Sequence, residues 1–174
     1  MRIDLRATSY PGLLEAVGLA IIRCDEMERA IPHVFGAALN VSLDFQREVF
    51  DATRGLEVHL KLTESAVREG ALEFLGRWQE LTTGVRMSAG MRGKVAHAGM
   101  SIYGGGIIIE VDEDGVPTGI AKRAGPPVAS LSKYTRAGRE DITESEIREL
   151  ADRVLKLESE IRQFAADVIV NRPR

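Results

Sequence analysis

From residue 147 to residue 168 the apolar side chains Ile147, Leu150, Val154, Leu157, Ile161, Phe164 and Val168 follow one another at alternating steps of three and four. On a helix of 3.6 residues per turn those steps lay all seven side chains along one face. A strand would throw them alternately to opposite sides. The spacing therefore predicts a helix over 144–168 and requires an apolar surface to cover it. That surface belongs either to the rest of this chain or to a neighbouring subunit, and the pattern alone leaves both open. Ala151, Leu155 and Ala165 widen the apolar face beyond a two-helix seam. "TESE" at residues 143–146 supplies the start signal, a threonine followed three residues later by a glutamate that can cap each other's backbone. Residues 141–174 thus form a heptad helix appended to a domain spanning 1–140.

Elsewhere the period is mixed. Pro11 opens a helical pattern with Leu13, Leu14, Val17, Ile21 and Met27, predicting a helix near 12–31 that ends before Pro32. "LNVSLDFQ" (39–46) and "LEVHLKL" (56–62) alternate apolar and polar residues completely, the mark of strands with one buried face. They predict an antiparallel pair. A rival reading joins Val34, Ala38, Val41, Phe45, Val49, Ala52 and Leu56 into one long helix, 33–82, broken only by Gly55. Thr63 is placed to cap a helix near 64–82, in which Val67, Ala71, Phe74, Trp78 and Leu81 form a stripe. Residues 84–106, with seven glycines, suggest a loop that orders against a neighbour. "IIIEV" and "PTGIAK" suggest a β-hairpin, 107–112 with 116–122. The expected class is α+β, with the mostly α alternative of one long helix and a hairpin.

The most site-like stretch lies inside that hairpin. Glu110, Asp112 and Asp114 alternate before Gly115, as the first half of a calcium loop does, but the distal glutamate is missing: position 121 is alanine and Lys122 and Arg123 follow. Asp114-Gly115 also suits a tight turn. The turn is the expectation, with no metal and no cofactor.

Formal charge is −3 overall, yet residues 81–139 carry +4 and the remainder −7. Arg86, Arg92 and Lys94, with Lys122 and Arg123, are the candidate contacts for an anion or for an acidic face of another subunit. "SAGMRGKV" (88–95) lacks both the distal glycine and the hydroxyl of a phosphate loop. His33, His59 and His97 stand far apart, with no partner at ligand spacing, and His59 on a strand's polar face would be solvated. Cys24 has no disulfide partner and suits a packed apolar position on a helix. Aromatic content of 5 % weighs against a base-stacking surface, so nucleic acid is not the expected partner.

These features predict no catalytic residues. They fit a non-catalytic structural or assembly subunit, a homo-oligomer of ring, connector or filament type such as phage-like or secretion-type particles contain. The stripe Ile147, Leu150, Val154, Leu157, Ile161, Phe164 and Val168 is a candidate interface. A small anion-binding domain or enzyme is the first alternative and a nucleic-acid-associated protein the second. Charged residues near the start, Asp4 among them, and the shortness of the best apolar run predict a soluble, cytoplasmic chain without a membrane span.

Overall fold

The computed structural model describes residues 11–103, 107–111, 117–123, 128–135 and 138–171, and over 99–140 the description concerns the backbone alone, Leu131 excepted. In chain order come α1 (Pro11–Leu39), α2 (Leu43–Asp51), α3 (Leu56–Gly70), a 3₁₀ turn (Leu72–Phe74) and α4 (Leu75–His97). Five strands follow: β1 (Gly99–Tyr103), β2 (Ile107–Val111), β3 (Pro117–Arg123), β4 (Val128–Thr135) and β5 (Gly138–Ile142). Helix α5 (Glu144–Asn171) closes the described chain. This is a mostly α protein whose core is made by helices. Neither the α+β class nor a framework of β-hairpins describes it, so both expectations are corrected.

The predicted pair 39–46/56–62 is helical, and the reason is visible residue by residue. Leu39 ends α1, and Asn40 reverses the chain in the left-handed region at φ 58°. Val41 N–H then donates to the Gly36 carbonyl at 3.2 Å, the six-residue closure that commonly ends a helix. Ser42 caps α2, its hydroxyl accepting from Phe45 N–H at 3.3 Å. Within α2 the buried positions are Gln46 and Phe50, one turn apart, while Leu43 and Phe45 are 56 % and 46 % exposed. Within α3 they are Leu60, Thr63, Ala66 and Val67, and Val58 faces out. The two-residue alternation is real in the sequence but is not what the fold buries. The rival long helix 33–82 has the right class and the wrong continuity. It is interrupted at Asn40 and again at Gly55, whose φ of 92° favours glycine before α3.

Three boundaries also move. Pro32 lies inside α1, flanked by buried Ile31 and Val34, so tertiary packing carries the helix past the missing N–H. The helix expected over 64–82 is divided between α3 and α4 at Ala71, although Val67, Ala71, Trp78 and Leu81 of its stripe are buried and Phe74 is partly so. The glycine-rich loop expected over 84–106 is helix as far as His97.

The strands are confined to the connection between α4 and α5. β4 pairs antiparallel with β1 on one side and β5 on the other, and Leu131 and Ile142 join the helical core. β2 pairs antiparallel with β3 in a register that shifts twice, unlike the even ladder of a two-residue hairpin. The expected turn at Asp114-Gly115 lies outside the described residues.

Helix α5 forms as its capping signal requires. Thr143 N–H donates to Glu146 Oε2 at 2.7 Å, and Glu146 N–H donates to Thr143 Oγ1 at 3.3 Å. Its principal contact is α1, and α4 adds a second. The two long helices run parallel. At one end the Arg148 guanidinium donates to the Gly12 carbonyl at 3.3 Å and stands 3.4 Å from Glu15. At the other, Ala165 and Ile169 share a surface with Gly36 and Ala37. Every member of the heptad stripe, from Ile147 to Val168, is buried within this one chain. Phe164 meets Trp78 of α4 and Phe74 at ring-centre distances of 5.7 and 5.9 Å.

Candidate functional site

The basic residues do not converge. Arg86 and Arg92 lie six positions apart on α4, which points their side chains to different neighbours. Arg86 donates to both carboxylate oxygens of Glu57 on α3, at 2.9 and 3.2 Å. Arg92 donates to Asp25 of α1 at 2.8 Å and reaches Glu28 at 3.7 Å. Lys94, also on α4, is engaged in an interaction of its own. Lys122 and Arg123 belong to β3, and their side chains lie outside the described residues. Of the cluster that sequence assigns to an anion, Arg86 and Arg92 are spent on tying α4 to α3 and α1.

The other candidates disperse as well. His33 sits on α1, His59 on α3 and His97 at the end of α4. His59 is not the solvated strand residue expected: its ring lies 4.8 Å from that of Phe50 and 3.4 Å from the Thr53 carbonyl. Cys24 is fully buried, and burial pushes its thiol up to about 11 despite the attraction of Arg92, so it is a packed side chain and a poor nucleophile. Among the described residues no group of three His, Cys, Asp or Glu is placed to hold a metal ion. Nor is any described helix long and apolar enough to cross a membrane. The heptad residues named as a candidate interface are core.

One surface remains that sequence reading missed. Where α1 ends, α2 begins and α5 ends, a groove of about 290 Å³ opens between the three helices. Small residues, Gly36, Ala37 and Ala165, form its floor, and Val41, Leu43 and Ile169 its apolar walls. Leu43 is 56 % exposed and Ile169 65 %, high for side chains of that size. The polar members are Asn40, Gln46 and His33, and none carries a fixed charge. Gln46 is held in place by its side-chain amide, which donates to the Val41 carbonyl at 3.1 Å. A Cβ on Gly36 would run into that amide and displace it. His33, itself exposed, lines the groove with its pKa lowered, first by partial desolvation and then by the Arg162 guanidinium on α5. The signal for this surface was present only on a helical reading of 39–46, which sets Leu43 one turn before Gln46 on the same face of α2. It was unreadable while 39–46 was taken for a strand.

Two other depressions differ in kind. One, between α1, α2 and α3, is lined by Asp25, Glu28, Arg29, Asp51 and His59 and is therefore charged. The other is a shallow face of α5 alone, from Asp152 to Gln163. Comparison of the chain with protein-family models, with curated proteins and with solved structures found no match.

Proposed function

We propose that this chain is a non-catalytic assembly subunit whose copies associate through the groove between α1, α2 and α5. The observation that carries the reading is a lining without fixed charge, with Leu43 and Ile169 more than half exposed, on a protein in which 28 % of residues are charged. Large exposed apolar side chains grouped on one surface are the ordinary mark of a protein contact. The same face on a second copy is a chemically suitable occupant, because identical faces that meet about a two-fold axis set like residues near one another. A strongly charged face would repel itself, and this one has only His33 to titrate. The pairing of Arg86 and Arg92 within the chain argues against the charge blocks as the source of attraction, and against an anion as ligand.

Sedimentation equilibrium tests this. Wild type is expected to associate at ~0.1 M salt and to hold or tighten at ~1 M, since apolar contacts are not screened as ionic ones are. Leu43→Glu with Ile169→Glu is expected to sediment as a monomer with unchanged helical circular dichroism. A wild-type monomer at all salt and protein concentrations, or association that the double substitution leaves intact, contradicts the reading.

A further inference from the structure

Pro32 lies inside α1, so the Glu28 carbonyl one turn earlier faces a ring nitrogen with no hydrogen to give. A carbonyl freed in this way needs a donor from elsewhere, because leaving it unmet away from water is costly. The register of α3 against α1 brings one near. Glu28, Pro32 and His59 line the same depression, and a Cβ on Gly70 would meet the Ala38 carbonyl, so the two helices run in the same direction. Thr63 stands between those two points, one turn beyond His59 on α3 as Pro32 stands one turn beyond Glu28 on α1. Its side chain is fully buried, and its Oγ1 has no hydrogen-bond partner among the described residues. A carbonyl short of a donor and a hydroxyl short of an acceptor thus lie at one level of the α1–α3 contact.

We infer that one water molecule, entering from the depression, bridges the Thr63 hydroxyl to the Glu28 carbonyl that Pro32 leaves open. The water accepts from the Thr63 O–H and donates to the carbonyl, which satisfies both groups at once. A buried water needs two to four polar partners and about 30 Å³. The depression, of about 260 Å³ and lined by Asp25, Glu28 and Asp51 among others, is polar and roomy enough to deliver it. The His59 ring, the other polar group on this face of α3, is turned to the Thr53 carbonyl at 3.4 Å. Thr63 is in this way the residue of α3 that lets α1 carry a proline in its interior.

Urea unfolding of wild type, Thr63→Val, Pro32→Ala and the double variant tests this, with helical circular dichroism confirming that each folds. Valine keeps the shape of threonine without the hydroxyl. In wild type Thr63→Val is expected to lower the midpoint and to raise the unfolding equilibrium constant at least about fivefold, because it strands the Glu28 carbonyl. With Pro32→Ala the alanine N–H takes that carbonyl, and adding Thr63→Val is expected to leave the midpoint unchanged or raise it. A midpoint that Thr63→Val raises or leaves alone in wild type overturns the proposal, since the hydroxyl is then merely buried. An equal loss in both backgrounds also overturns it, by separating Thr63 from the proline. Magnetisation transfer from water to the Thr63 methyl is expected in the nuclear magnetic resonance spectrum of wild type. Coupling between the two substitutions without that transfer overturns the water and puts a direct bond in its place.

Discussion

Gly70 and Gly90 are both glycines of the helical region, and their surroundings give them opposite value. A Cβ on Gly70, at the end of α3, would run into the backbone carbonyl of Ala38, which cannot swing aside as a side chain can. A Cβ on Gly90, in α4, would meet nothing within 4 Å. Gly70→Ala is expected to destabilise by ~1–3 kcal/mol, the usual range for overpacking. Gly90→Ala is expected to stabilise by ~0.5–1 kcal/mol, the helix-propensity difference between the two residues. Urea titration of both variants checks the pair, and a shared sign would show that local space does not decide the outcome. The glycines of α4 also show what misled the sequence reading: counted as breakers, they predicted a loop. Each costs a helix only ~1 kcal/mol, and the burial of Trp78, Val85 and Val95 on the same helix outweighs that. Cys24 was legible from the start as a packed side chain. Its thiol should react with a small alkylating reagent only as fast as the native state opens, in keeping with its raised pKa.

Among the elements, α5 was the most legible and α2 the least. The heptad spacing needs no tertiary information to specify a helix, and the capping threonine fixes where it starts. Its partner could not be read, because an apolar stripe is equally content against its own chain or another. The α2–α3 region went astray because apolar residues alternate there by coincidence with a turn and a cap. Leu157 packs against Gly84 of α4, its Cδ2 3.3 Å from where a Cβ would stand. Leu157→Ala is therefore expected to cost ~2–5 kcal/mol, against little for Arg162→Ala, whose exposed pair with Glu158 is worth ~0–1 kcal/mol. Thermal unfolding separates them, and equal small effects would contradict the burial of the stripe. The cap adds a pH dependence. Hydrogen bonds from the Thr143 backbone and side chain hold the Glu146 carboxyl below its usual range. A depressed carboxylate stabilises the fold above its unfolded pKa and loses that contribution as pH falls through the folded value. The stability gap between wild type and Glu146→Gln should then be present near neutrality and shrink on acidification below about pH 4.5. A gap that is constant with pH would remove the carboxylate from the cap.

At the scale of the whole molecule, the parallel pairing of α1 with α5 organises everything else. Two parallel helices must be joined by a long connection, and here the rest of the chain serves as one: α2, α3 and α4, then the strands. Arg148 anchors the pair at its starting end, with Glu144 at 2.9 Å as well as Gly12 and Glu15. At the far end α2 packs beside α1, and the groove is the surface left uncovered between α1, α2 and α5. Burial of the heptad stripe within one chain takes those side chains out of use as a contact between copies. Dipolar spectroscopy on spin labels at two exposed positions, Glu26 on α1 and Lys156 on α5, with Cys24 replaced by alanine, tests that burial most directly. The doubly labelled chain is measured alone and after refolding with about a tenfold excess of unlabelled chain, enough to separate labels that sit on different subunits. A pairing within the chain predicts one Glu26–Lys156 distance whose modulation survives dilution, with only the part contributed by labels on associated copies falling away. A modulation that fades in proportion to dilution would place α5 on a neighbouring subunit and contradict the fold described.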